Sequence, residues 1–344
     1  MKKVQGYQMD KQQGSIYLNA NESYENVSPQ ILEEIHEAID NVSFQRYPDE
    51  TNSILINAYA KAMNLDPNCI LAGHGSDEML GFMIGNYLGK DKVLYTLNPD
   101  FSMYDYYAQI QDATIVKFDC NEDGSFDVDA FIKKGKEVKP NMILFSNPNN
   151  PSGYALSNQE LKKIAIAFND IPFIVDEAYG EFNDESMLSE INNYDNLYVT
   201  RTLSKAYGLA SMRVGFIIGK LENIENLKPM IVPYNINTLS QKIGTIVLEH
   251  ASEYQDKINQ IKKDRDMMYE ELSKLNVLKV YKSKANYLYG RSEYKEAMLK
   301  KLNDYGIVIR NYAKNDTFRI TIGSSSENEL VLRILKELDS EVKA

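Results

Sequence analysis

The sequence predicts an α/β protein, with a large domain built on a mostly parallel sheet between helices and a smaller α+β domain. Three observations carry this. The chain has 344 residues, too many for one small core. Short apolar runs alternate with helical stretches over residues 36–235. After PYNIN (233–237) the pattern changes to long helices and two strand-like segments.

Taken in order, six apolar runs read as strands: KVLYTL (92–97), ATIVKF (113–118), NMILFS (141–146), IPFIVDE (171–177), NLYVT (196–200) and RVGFIIG (213–219). Runs of this length, bounded by Asn, Pro, Gly and Asp, suit strands buried on both faces of a sheet. Between two of them, SNQELKKIAIAFND (157–170) has helical spacing, with Ser157 and Glu160 placed as a capping box. Past residue 237 a helical stretch runs through QKIGTIVLEH and DKINQIKKDRDMMYEELSKL. The segments ANYLYG (285–290) and FRITIG (318–323) read as strands, with the helix EYKEAMLKKLNDYG between them. A last helix is expected from a capping box at Ser326 and Glu329, burying Leu330, Val331, Ile334, Leu335 and Leu338. No internal repeat or low-complexity segment interrupts this order.

Composition narrows the function. Hydrophobic residues at 43% and charged residues at 25% are ordinary for a globular chain. A net charge of −11 argues against nucleic acid or an anionic membrane as partner, so an anionic substrate needs a local arginine cluster. Cys69 and Cys120 lack metal-like spacing and fit a reducing compartment. With only His36, His74 and His250, neither a histidine-rich metal site nor a serine-hydrolase triad is expected, and no metal is predicted. The N-terminus lacks the apolar core of a signal peptide, and no apolar run reaches membrane-spanning length. The expectation is a cytoplasmic protein.

The chemistry gathers in loops after predicted strands, the edge where open α/β sheets bind ligands. SNPNNPSG (146–153), DEAYG (176–180) and SKAYG (204–208) lie there, and AGHGSDE (72–78) precedes a helix. GHGSDE is not GxGxxG, because its sixth position is Glu78. Singly, each has a bland reading: a turn, a helix cap at Asp176, a packed Tyr179, a surface ion pair at Arg213. Together they assemble a different set of parts. A turn of N–H groups at a helix start holds a phosphate, and an arginine grips it bidentately. An aspartate keeps a pyridine nitrogen protonated. A lysine among apolar neighbours, such as Lys205 in RTLSKAYGLASMR (201–213), loses its proton readily and forms a Schiff base. These are the requirements of pyridoxal phosphate.

On these motifs the chain resembles the fold-type I pyridoxal-phosphate aminotransferases of class I/II, and within them the histidinol-phosphate aminotransferases. The likeness runs through LNANES (18–23), RYPDE (46–50), GHGSDEML (73–80), NPDFSMY (98–104), NPNNPSG (147–153), VDEAY (175–179), RTLSKAYGLASMRVGF (201–216), PYNIN (233–237), SKANYLY (283–289) and FRITIG (318–323). It implies an aspartate aminotransferase-like large domain with a seven-stranded sheet over 36–235. The small domain would then comprise 1–35 and 236–344, the N-terminal arm lying against the C-terminal part.

The resemblance also implies roles. Lys205 would be the Schiff-base lysine and proton shuttle. Gly75, Ser76 and Asp77, with Thr202, Ser204 and Arg213, would hold the cofactor phosphate. Asp176 would pair with the pyridine nitrogen, Asn150 and Tyr179 with the ring hydroxyl, and Phe101 would stack on the ring. Arg319 would clamp the substrate's carboxylate or phosphate, with Asn21 near the substrate. Tyr47 would reach the cofactor phosphate of a neighbouring subunit, which implies a homodimer.

The implied reaction moves an amino group from a small-molecule donor, histidinol phosphate first among them, to a keto acid such as 2-oxoglutarate, in histidine biosynthesis. Two alternatives stay open: an aromatic amino acid aminotransferase, and a decarboxylase like that of threonine phosphate. A non-enzymatic regulator is disfavoured, since no basic helix-turn-helix segment is present. Where the family reads NENPYGPSP, this chain reads NESYENVSP (21–29), placing Glu25 at a substrate-side tyrosine. A carboxylate there would repel a phosphate, unless Tyr24 takes the role or Glu25 points to solvent. Arg310 either holds a substrate anion or pairs with an acid. His74 is given no catalytic role.

Overall fold

The structure, a computed structural model, describes residues 14–343 and contains two sheets. The chain opens with β1 (Ile16–Leu18), α1 (Pro29–Asp40) and α2 (Ser53–Met63). It continues through β2 (Ile70–Gly73), α3 (Ser76–Tyr87), β3 (Val93–Asn98), α4 (Met103–Ile110), β4 (Thr114–Asp119) and α5 (Val128–Val138). Then come β5 (Met142–Ser146), α6 (Asn158–Ala167), β6 (Phe173–Asp176), β7 (Leu197–Thr202), β8 (Gly215–Gly219) and α7 (Leu221–Leu227). Helices α8 (Thr238–Glu249) and α9 (Tyr254–Leu272) lead to β9 (Lys279–Val280) and β10 (Tyr287–Arg291). The chain ends with α10 (Lys295–Asp304), β11 (Ile307–Asn311), β12 (Thr317–Thr321) and α11 (Ser325–Lys343).

The larger sheet has seven strands in the order β2-β8-β7-β6-β5-β3-β4. All its pairs are parallel except those of β8, which runs antiparallel to β2 and β7. That reversal positions the site. The carboxyl ends of β3, β5, β6 and β7 share one edge, and antiparallel pairing brings the start of β8 there too, with Thr202 opposite Gly215 and Gly73 opposite Gly215. Motifs far apart in sequence therefore meet along one rim.

All six predicted strands form, each within two or three residues of its expected limits. Burial on both faces holds for β5, β6, β7 and β8 but not for β4, whose sheet-edge position leaves Thr114, Lys117 and Asp119 exposed. The seventh strand, β2, is the ILAG run ahead of the glycine turn, too short to stand out by period.

The second sheet follows the order β1-β11-β12-β10-β9, with β1 parallel to β11 and the other pairs antiparallel. Its outer strands β1 and β9 hold three and two residues, too few to show alternation in sequence. Helix α6 carries the expected box, Ser157 with Glu160. The box at α11 lies two residues earlier than expected: Glu327 N–H donates to Ser324 Oγ (3.3 Å), and Ser324 N–H donates to Glu327 Oε2 (2.8 Å). Ser324, Ser325 and Ser326 make two registers equally legible, and packing decides between them. Val331, Ile334, Leu335 and Leu338 are buried, while Leu330 is half-buried. Among the described residues, no helix is long and apolar enough to cross a membrane.

Candidate active site

A cavity of about 930 Å³ opens at the carboxyl edge of the large sheet, roofed by Asn19 and Ala20 and by residues of β10, β11 and β12. Lys205 stands on the turn that follows β7. Its Nζ donates to the Ala20 carbonyl (2.8 Å) and lies 5.9 Å from the centre of the Tyr179 ring. Burial pushes this amine down to about 8, and the positive Arg319 and Arg213 push the same way while Glu22 opposes them. The neutral, nucleophilic amine is thus reached at a lower pH than for an ordinary lysine.

Asp176 ends β6 and is buried. In register, its neighbours are Ser146 on β5 and Thr200 on β7. Its Oδ1 accepts from Thr200 Oγ1 (2.8 Å) and from the Ala178 N–H (3.2 Å), and its Oδ2 accepts from Tyr104 Oη (2.7 Å). Burial raises the carboxyl while these donors pull it down. A cationic partner facing this carboxylate would add the charge pairing that burial demands.

The third corner is a cradle. Helix α3 begins after Gly75 with no side chain capping its first N–H groups. Gly75 has φ +91°, and a Cβ there would come within 2.7 Å of the Arg213 guanidinium. At Gly215, an added Cβ would strike Ser76 N at 2.0 Å, so only glycine lets β8 run against the helix start. Arg213 Nη1 reaches Ser204 Oγ (3.4 Å), and Ser204 N–H donates to Thr202 Oγ1 (3.1 Å). Asp77 sits in the first turn of α3, its carboxyl raised by burial against the Tyr107 hydroxyl and Arg213. Uncapped N–H groups beside a guanidinium make an anion site.

The fourth corner joins both sheets. Arg319 on β12 donates from Nη1 to Asn150 Oδ1 and from Nη2 to the Asn19 carbonyl (3.0 Å), and stacks over the Tyr287 ring at 4.9 Å. Tyr179 Oη accepts from Asn21 Nδ2 (2.8 Å); burial pushes this phenol up to about 12, with Arg319 and Asn21 opposing. Asn21, at φ 54°, also bonds Thr321, which fixes the arm across the site. Arg310 on β11 lies opposite Arg319 in register, and both line the cavity with Phe101.

Most residues expected from the sequence line this one cavity, and Gly75 and Asn21 stand directly behind its lining. Tyr47 does not: it is 81% exposed and stacks on Tyr234 at 4.7 Å. Glu25 pairs with Lys257 (3.3 Å) and, like Tyr24 and His74, is absent from the lining. Sequence reasoning missed Tyr104, Thr200, Ser146 and Asp100, which surround Asp176 or the Phe101 loop. Asp100 and Tyr104 lie in NPDFSMY and Ser146 in SNPNNPSG, so the motifs were in view while the bonds between them were not. Among the described residues, no group of three His, Cys, Asp or Glu side chains could hold a metal ion.

The family described as aminotransferase class I and II matches residues 14–335. The histidinol-phosphate aminotransferase of Clostridium novyi (strain NT) is 35% identical over 339 residues, covering 98% of this chain and 95% of that protein. That of Pyrococcus furiosus is 32% identical over 330 residues, covering 95% and 94%. The fold is similar to that of histidinol-phosphate aminotransferase from Sinorhizobium meliloti in complex with pyridoxal-5'-phosphate. That match has a TM-score of 0.86 at 21% identity, covering 96% of this chain and 92% of the other. L-threonine-O-3-phosphate decarboxylase from Porphyromonas gingivalis shares the fold as well, with a TM-score of 0.81 at 20% identity, covering 94% and 99%.

Proposed function

The chain belongs to the class I and II aminotransferases, and from that premise we propose that it moves the amino group of histidinol phosphate to a keto acid such as 2-oxoglutarate, using pyridoxal phosphate. The observation that carries this reading is the convergence of Lys205, Asp176, the Gly75–Arg213 cradle and Arg319 on one cavity. The residues fit the cofactor. Its phosphate suits the uncapped start of α3 and Arg213, in a space that a Cβ at Gly75 would fill. When bound, pyridoxal phosphate supplies a carbonyl carbon for amines and a ring that accepts negative charge.

The chain's own groups do the rest. Lys205, its amine lowered to about 8, would hold the cofactor and, once the donor amine has displaced it, would be the free base placed to take the proton from the amine-bearing carbon of the donor. Asp176, aimed by Tyr104, Thr200 and the Ala178 N–H, holds a proton on the ring nitrogen by charge pairing. Asn150 and Tyr179 orient the ring hydroxyl, and Phe101 covers the ring face. Ser76, Asp77, Thr202 and Ser204 complete the phosphate corner.

Substrate choice rests on the roof. Histidinol phosphate has no α-carboxylate, so Arg319 would meet its phosphate instead, with Arg310 opposite in register. Two cavity-lining arginines suit a dianion better than a single carboxylate. Because Glu25 pairs with Lys257 outside the lining, the repulsion that favoured an aromatic donor loses its basis. A homodimer, in which Tyr47 serves the partner's site, is supported by the exposure of Tyr47 and of Phe44 at 74%. The division into 36–235 against 1–35 plus 236–344 is supported by β1 joining the second sheet, although α1 itself spans the 35/36 boundary.

The test is product analysis of the cofactor-loaded protein. Glutamate formed from histidinol phosphate and 2-oxoglutarate supports the reading. Carbon dioxide from threonine phosphate, without glutamate, replaces it with the decarboxylase.

A further inference from the structure

We infer that Asp100 is a positioning residue that ties the Phe101 loop to the Asn150 loop and so fixes the two side chains that embrace the cofactor ring. The inference rests on the cofactor reading above. The ladder between β3 and β5 pairs Leu94 with Met142 and Tyr95 with Ile143, and stops short of the site. Beyond it, side chains replace the backbone bonds. Asp100 Oδ1 accepts from the Phe101 N–H (2.8 Å) and from Ser146 Oγ, and its Oδ2 accepts from the Ser146 N–H (3.2 Å). The same Ser146 Oγ accepts from the Asn150 N–H (2.8 Å), so its hydroxyl relays the clamp from Asp100 to Asn150. Asn149 Nδ2 adds a second tie, to the Pro99 carbonyl (3.2 Å).

One carboxyl group thus touches the backbone of the ring-stacking residue and, through one hydroxyl, the backbone of the residue facing the ring hydroxyl. Burial pushes the Asp100 carboxyl up to about 8, against its own hydrogen bonds. Asparagine keeps the two bonds to Oδ1 but turns an amide N–H toward the Ser146 N–H and loses the third, which makes it a partial mimic.

The experiment titrates cofactor-free wild-type, Asp100→Ala, Ser146→Ala and Asp100→Asn proteins with pyridoxal phosphate. It reads the dissociation constant, the visible circular dichroism of the bound cofactor and the melting temperature without cofactor. Asp100→Ala and Ser146→Ala should each weaken binding by roughly tenfold, the loss of one or two buried hydrogen bonds, and shrink the dichroic band. Asp100→Asn, keeping two of the three bonds, should fall between Asp100→Ala and wild type. Two results overturn the inference: wild-type affinity and dichroism in both alanine variants, or an asparagine variant as impaired as Asp100→Ala. If the wild-type chain itself fails to bind pyridoxal phosphate, the cofactor reading falls instead.

Discussion

The floor and the roof of the cavity are built in opposite ways. On the floor, Asp176 is held by Thr200 on the neighbouring strand β7 and by Tyr104 on α4, and the anion cradle forms where β8 meets the start of α3. Strand register supplies Thr200, and the short segments just beyond the strand ends supply Tyr104 and the Ala178 N–H. On the roof, the partners lie 300 residues apart in the chain: Arg319 donates to the Asn19 carbonyl, and the Asn21 N–H donates to Thr321 Oγ1. The two cations that face each other across the cavity, Lys205 and Arg319, are both held by carbonyls of adjacent arm residues, Ala20 and Asn19. The floor draws on one sheet and its adjoining helices, which suits cofactor chemistry, whereas the roof joins the arm to the second sheet, which suits substrate selection. Under the proposed function, chemistry falls to the floor and specificity to the roof.

The sharpest way to break this division is Lys205→Ala. Turnover should fall by roughly ten-thousandfold or more, with circular dichroism and melting temperature close to wild type; a variant that retains near-normal transamination removes Lys205 from the chemistry. Next in size is Arg319→Ala, which should lower kcat/KM for a phosphorylated donor by roughly a hundredfold, mostly through KM. Cofactor affinity should change far less. An equal loss of cofactor affinity would make floor and roof one unit, since Arg319 also holds Asn150.

A pH series on the cofactor-free protein probes the amine itself. Only neutral Lys205 attacks the cofactor carbonyl, and an amine at about 8 is mostly protonated at pH 7 and mostly neutral at pH 9. Capture should therefore quicken by about tenfold over that interval, with its midpoint near pH 8; a midpoint near the ordinary lysine value would deny the influence of burial. The smallest effect is expected at Glu25→Gln. The side chain is 60% exposed and its partner Lys257 lies outside the lining, so activity should stay within about twofold and stability within about 1 kcal/mol. A large gain in affinity for a phosphorylated donor would return Glu25 to the roof.

The same asymmetry governs what the sequence reveals. Floor residues sit in compact motifs at strand ends, so Asp176, Lys205 and Arg213 were legible from DEAY and SKAYGLASMR and from the alternation that places both on one edge. Tyr104 and Thr200 were not, because they reach Asp176 from helix α4 and from a neighbouring strand, placements no local pattern encodes. On the roof, the chemistry of Arg319 was legible but its bonds to Asn19 and Asn150 were not. The first depends on β1, a three-residue strand without periodicity, pairing with β11, and the second on the meeting of β12 with the loop after β5. Glu25 misled for a related reason: gapless matching fixes a position along the arm but not the direction of its side chain, which Lys257 captures. The serine run before α11 shows the limit of capping signals, since three serines offered more than one start.

The most direct test is a single turnover. Cofactor-loaded protein would be mixed with L-histidinol phosphate without any keto acid, alongside glutamate and tyrosine in separate runs, while the absorption of the bound cofactor is followed. Rapid conversion to the aminated cofactor with histidinol phosphate, at least as fast as with tyrosine, is the predicted result. Conversion by tyrosine alone would contradict the roof assignment, and no conversion by any donor would contradict transamination itself.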